Sequence, residues 1–149
     1  MIYICAFPER YVGQPAVDTG QCARLVQVAT GAPQTTFWRK GQKVRGNSNI
    51  ARGTAIATFE LGTDWEEARS CGPFAYTNRT DHTAHAALYI NQDESGITVV
   101  DQWSGQAPIQ RKIPFTPSKV PIGSGENYYI VEGPPYFNME VSPDRSQAA

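Results

Sequence analysis

The spacing of glycine and proline limits this chain before any other feature does. Thirteen glycines and eleven prolines are spread through its 149 residues. Each interrupts a helix or forces a turn, so most of the chain is confined to short elements. One window escapes. In Gln21–Thr30, Cys22, Leu25, Val26 and Ala29 recur at helical spacing, and Gly31 and Pro33 stop the run. The pattern predicts a helix of about ten residues starting within a residue or two of Cys22. Asp18 or Thr19 is the expected cap. Trp65–Arg69 has room for a turn or two of a second helix.

Elsewhere the pattern is that of strands. Residues 1–20 read as mostly irregular, and a polar stretch carrying a Trp38-x-x-Gly41 pair runs on to Asn49. Gly53–Glu60 is rich in β-branched and aromatic residues. His85–Asn91 and Ile97–Trp103 flank the turn signal Gln92–Gly96, which predicts a hairpin. Ile109–Phe115 is a weaker strand, and Asn127–Glu132 is the last clear one. The expected fold class is α+β: an N-terminal helix carrying Cys22 packed on an antiparallel sheet. The length fits one domain over 1–149, large enough to bury about two-thirds of its unfolded surface. Residues from about 133 to 149 read as a loose tail. The interval Gly62–Ala84 separates two strands, and so long a gap in a small domain is expected to be functional or mobile.

Charge and motif content exclude several classes of function. Thirteen basic and fourteen acidic residues leave a net charge of −1. Such a balance does not suit a nucleic-acid binder, which needs clustered positive charge. Two histidines and three scattered cysteines make no ligand cluster of known spacing, so no metal is expected. No P-loop or GxGxxG is present, and no cofactor is expected. No apolar run approaches the length of a membrane span, and no cleavable secretory signal is apparent at the start.

Three residues form a candidate catalytic set. Cys22 opens the helix, where free N–H groups and the macrodipole favour a thiolate. His85 opens one hairpin strand and could pair with that thiolate, then protonate a leaving amine. Asp101, within an apolar run on the other strand, could hold the remaining ring nitrogen. Direct pairing of 85 with 101 centres the hairpin near Asp93, within a residue or two of the turn signal; a small bulge or offset would cover the difference. Each residue also has a plainer reading. Cys22 could be an ordinary buried helix residue, and Asp101 could face solvent. His82, three residues before His85, is expected in the preceding loop. Trp103 reads as a core residue, with a substrate platform as the alternative.

Gly20-Gln-Cys-Ala-Arg-Leu-Val26, His85–Ile90 and Val99–Trp103 resemble, in order and spacing, the Cys, His and acid segments of the CHAP and NlpC/P60 peptidoglycan amidases. Adding Trp38-Arg-x-Gly41, Gly53–Phe59 and Tyr128–Glu132, the chain is similar over nearly its whole length to the second family of type VI secretion amidase effectors. The segment around Cys71–Asp81 has no counterpart in that pattern. The resemblance implies a minimal papain-like fold, with Cys22 as nucleophile, His85 as general base and acid, and Asp101 as the orienting group. The oxyanion donors would be the Cys22 N–H and a second group, for which Gln21 and Tyr11 are the candidates. It implies a toxin made in the bacterial cytoplasm, loaded by the type VI secretion apparatus and delivered to a rival's periplasm. The substrate would be peptidoglycan stem peptides, with the D-alanine–meso-diaminopimelate crosslink as the bond, and a cognate periplasmic immunity protein would protect the producer. The alternatives are a housekeeping wall hydrolase, a protein deamidase on the same fold, or a non-catalytic wall-binding module. Cys5 and Cys71 have no assigned role, and pairing between them would need an oxidising compartment.

Overall fold

A computed structural model describes residues 1–59, 76 and 84–134. Helix α1 spans Cys22–Thr30. Gly31 closes it in the left-handed region, and its N–H donates to the Gln27 carbonyl at 2.9 Å. Its other end differs from expectation. Gln21 is the N-cap residue and makes no side-chain cap bond. Asp18 and Thr19 sit too early, because the chain turns at Asp18 and Gly20, both with positive φ. The Asp18 carboxylate instead accepts from Arg24 at 2.8 Å.

Six strands follow: β1 Arg39–Lys43, β2 Ala55–Thr58, β3 Ala86–Gln92, β4 Gly96–Trp103, β5 Gln106–Pro114 and β6 Tyr128–Glu132. They form one sheet in the order β1-β6-β2-β3-β4-β5, with every pairing antiparallel. The α+β expectation therefore holds. Strand β1 lies in the polar stretch where no strand was expected. It is an edge strand, half-buried to exposed, and its pairing with β6 rather than its own pattern makes it a strand. Strand β5 begins earlier than expected. Trp103 pairs with Gln106 across Ser104-Gly105, and Gly105 supplies the positive φ that so tight a turn needs. Pro108 is tolerated within β5 because that strand is the other edge of the sheet.

The β3–β4 hairpin forms where expected but in a shifted register. Leu88 pairs with Val100, and an irregularity follows between Tyr89 and Asn91. Carried back along the strands, that register sets Ala87 opposite Asp101. His85 is thus diagonal to Asp101 rather than directly across, though still on the same face of the sheet.

Each face of the sheet carries a core. On one, Leu25 and Val26 of α1 pack with Trp38, Ala55, Ala57, Leu88, Val100 and Val131. On the other, Val44, Ile56, Tyr89, Val99, Ile113, Phe115 and Tyr128 form a second cluster. The N-terminus, expected to be irregular, is laid against the sheet. Ile2 bridges to Glu132 and Ile4 to Thr54, burying Tyr3 and Cys5 between them. Gly133, at the start of the expected tail, exchanges two hydrogen bonds with Met1, and Tyr3 Oη donates to the Pro134 carbonyl at 2.7 Å. Residues 135–149, the expected helical turn at Trp65–Arg69, Cys71 and His82 lie outside the described residues. Among the described residues no helix is long and apolar enough to cross a membrane.

Gly53 is where the N-terminal segment meets the sheet. It has φ +91°, its carbonyl accepts from Cys5 N at 2.9 Å, and its N–H donates to Tyr89 O at 2.6 Å. A Cβ at this position would run into the Cys5 carbonyl oxygen, a backbone atom that cannot swing aside. Gly53→Ala is expected to cost about 2–3 kcal/mol, read as a lower urea midpoint. An unchanged midpoint would mean that the N-terminal segment contributes nothing to the fold.

Candidate active site

The site lies at one end of the sheet, where three adjacent strands and the start of α1 converge. His85 immediately precedes β3 and is 4% exposed; Asp101 on β4 is fully buried. His85 Nε2 and Asp101 Oδ2 are 2.7 Å apart. With Nε2 engaged, Nδ1 is the ring nitrogen left for Cys22, whose thiol and the His85 imidazole perturb each other's ionisation. The structure therefore brings together all three residues singled out from the sequence.

Their ionisation follows from these contacts. Burial works against charge on Cys22, but the hydrogen bond and charge of His85 outweigh it and hold the thiol below its ordinary 9.0. Burial likewise opposes charge on His85; the bonds to Asp101 and Cys22 win and raise its pKa to about 9. Asp101 is also lowered in spite of its burial, by His85 and by Arg111. A thiolate–imidazolium pair is thus favoured between the Cys22 pKa and about pH 9. The contrast is Cys5, whose thiol is pushed up by burial.

Sequence reasoning missed three further residues. Arg111 on β5 grips the Asp101 carboxylate and shares Oδ2 with His85: Nε lies 3.0 Å from Oδ1 and Nη2 lies 2.7 Å from Oδ2. A lone arginine in a polar edge strand carries no sequence signal for this. Gln102 is fully buried next to Asp101 but faces the opposite side, as strand alternation requires. Its Nε2 donates to the carbonyls of Val17 and Gln21 at 3.0 and 2.9 Å, and its Oε1 accepts from Val17 N at 2.8 Å. Gln102 thereby ties the entry of α1 to β4. Tyr76 places its hydroxyl 4.0 Å from Cys22 Sγ, with its ring packed on Trp38 and Phe59. Burial holds its pKa well above the ordinary value, so it stays a neutral hydroxyl.

The remaining candidates fall as follows. Gln21 directly precedes Cys22, with an exposed side chain. Tyr11 ends a 3-10 turn over Pro8–Tyr11 and packs against the α1-side core. Trp103 is not the core residue it was read to be. It is 38% exposed, because it ends β4 at the turn into β5. There its ring meets His85 edge-on at 6.2 Å and lies beneath the Arg111 guanidinium at 4.8 Å. Among the described residues no group of His, Cys, Asp and Glu is arranged to hold a metal.

With the geometry in place, known proteins can be compared. The family model described as domesticated amidase effector 2 matches residues 1–131. A type VI secretion amidase effector 2 protein of Salmonella typhi is 39% identical over 83 residues, 56% of this chain. That match spans only about half of the Salmonella protein's length, 53%. A domesticated amidase effector 2 of Ixodes scapularis is 29% identical over 134 residues, covering 86% of this chain and 83% of that one. The solved structure of a type 6 secretion amidase effector 2 aligns with a TM-score of 0.71 at 28% identity, covering 89% of this chain and 95% of the other.

The coupling of Cys22 to His85 makes a direct prediction. At pH 7 iodoacetamide is expected to alkylate Cys22 well before Cys5, as located by peptide mapping. His85→Ala removes the cation that stabilises the thiolate, so the Cys22 alkylation midpoint should move to higher pH. Equal labelling of the two thiols in the native protein would mean that Cys22 is an inert helix residue.

Proposed function

The chain belongs to the domesticated amidase effector 2 family, and on that premise we propose that it is a cysteine amidase of peptidoglycan. The observation that carries this reading is the buried His85–Asp101 bond of 2.7 Å beside a helix-opening cysteine whose thiol is held below its ordinary pKa. The helix-on-sheet arrangement supports a minimal papain-like fold, with residues 1–149 acting as one domain.

The chemistry follows from the charges. The Cys22 thiolate attacks the carbonyl carbon of a stem-peptide amide and forms a tetrahedral oxyanion. The Cys22 N–H is the first donor to that oxygen, because the first N–H groups of a helix have no intrahelical partner. Gln21, adjacent and exposed, and Tyr11 are the candidates for the second; the Tyr76 hydroxyl also reaches the sulfur. The His85 imidazolium then protonates the departing amine, leaving a thioester on Cys22. Neutral His85 next takes a proton from water, and the hydroxide opens the thioester to release the acid and restore the thiolate–imidazolium pair. Asp101 keeps the ring in one orientation through both steps. Trp103, exposed beside His85, supplies a flat apolar surface for the substrate.

The specific bond we propose is the D-alanine–meso-diaminopimelate crosslink. The proposed setting is that of a type VI secretion effector, made in the bacterial cytoplasm and delivered to a recipient periplasm, with a cognate immunity protein guarding the producer. Support comes from the amidase effector relatives of similar sequence and structure.

Purified protein incubated with sacculi should release cleaved muropeptides, identified by mass spectrometry. Cys22→Ala should reduce release by about a thousandfold or more while circular dichroism stays unchanged. Full release by that folded variant would overturn the reading. Expression directed to the periplasm should lyse a Gram-negative host, and the same chain kept in the cytosol should not. Equal toxicity in both compartments would exclude the wall as target.

A further inference from the structure

Arg111 touches two of the groups that touch His85, Asp101 and Trp103. Its guanidinium chelates Asp101 from one side, and Asp101 holds His85 Nε2. It also lies over the indole of Trp103, whose ring meets the His85 ring edge-on. The sheet makes this convergence possible. Arg111 pairs with Val99 on β4 and so lies one diagonal step from Asp101, on the same face.

Charge gives a second and independent reason. Asp101 is fully buried, and among the described residues Oδ1 has Arg111 as its donor while Oδ2 is shared between His85 and Arg111. The groups facing this carboxylate are His85 before β3, Arg111 on β5, Cys22 on α1 beyond the imidazole, and Tyr128 on β6, which burial keeps neutral. In the working state the thiolate and carboxylate carry two negative charges, and the imidazolium and guanidinium carry two positive ones. Without Arg111 the buried set would carry a net negative charge, and burial would drive it to take up a proton. The thiolate is the group that would accept it.

We propose that Arg111 is a positioning residue of this site, fixing the His85 ring through Asp101 on one side and Trp103 on the other while its charge balances the buried set. The proposal rests on the catalytic reading of Cys22, His85 and Asp101. It separates two contributions that substitution can take apart. A lysine keeps the charge but loses the planar fork and the stacking on Trp103. A glutamine loses the charge as well.

The test measures iodoacetamide alkylation of Cys22 against pH, together with kcat and KM on muropeptides, for the wild type, Arg111→Lys and Arg111→Gln. Arg111→Gln should move the Cys22 alkylation midpoint up by about one pH unit or more. Its kcat should fall by about a hundredfold with KM little changed. Arg111→Lys should return the alkylation midpoint towards the wild-type value, yet keep a kcat lowered by about tenfold. A lowered thermal midpoint with unchanged alkylation profile and unchanged kcat would overturn the proposal, because a merely structural residue behaves that way. Should Arg111→Gln fail to fold, Arg111→Lys decides the matter, because it keeps the charge beside Asp101. A kcat lowered about tenfold with KM little changed supports positioning; a wild-type kcat overturns the proposal. The alkylation arm needs no substrate. A wild type that alkylates as expected but releases no muropeptide would defeat the amidase reading, while the Arg111 comparison would still be decided by the alkylation midpoints.

Discussion

A fully buried carboxylate, Asp101, is the constraint around which the site is arranged. An ionised carboxylate removed from water and left unpaired costs several kcal/mol, so Asp101 requires partners of opposite charge. It finds them on both neighbouring strands: His85 at the start of β3 and Arg111 on β5. The central position of β4 between β3 and β5 is therefore a condition of the site as well as of the sheet. Removing one partner would leave the other charge stranded, which is why these three groups behave as a unit.

Alternation along β4 couples that unit to the helix. Asp101 faces the layer that holds Arg111 and Tyr128, while its neighbour Gln102 faces α1 and clamps the chain at Val17 and Gln21. One dipeptide thus positions the imidazole on one side of the sheet and the entry to Cys22 on the other. The missing side-chain cap at the start of α1 acquires a reason in this arrangement. Gln21 lends its carbonyl to Gln102 and to the Arg24 and Leu25 N–H groups, and no side chain blocks the helix end beside the thiol. A capping carboxylate there would compete with the very anion that the helix terminus stabilises.

Local pattern made some of this legible and not the rest. The helix at Cys22 and the β3–β4 hairpin were readable because their signals are short-range: apolar spacing, a glycine stop, a turn between two apolar runs. Cys22, His85 and Asp101 were readable because reactive side chains in those contexts are unusual. The register was not, since neither the turn-side pairing of Gln92 with Ile97 nor the irregularity between Tyr89 and Asn91 leaves a trace in the pattern, and together they set His85 diagonal to Asp101 rather than opposite it. Strand β1 was missed because its pairing with β6 comes from ninety residues away, and nothing in Arg39–Lys43 alternates. Trp103 was assigned to the core because an aromatic beside apolar residues normally is; its exposure depends on where β4 ends.

By itself, then, the sequence determined the helix, the central strands and the reactive groups, because these are written in spacing and side-chain chemistry. Tertiary structure alone decided which groups meet. Arg111 is unremarkable in its own stretch and becomes part of the site only because β5 pairs with β4 in a register that lays it against Asp101. Tyr76, remote in sequence from Cys22, reaches the sulfur only through its packing on Trp38 and Phe59. Pairing and packing are long-range choices made by the whole buried surface at once, so no local window of the chain contains them.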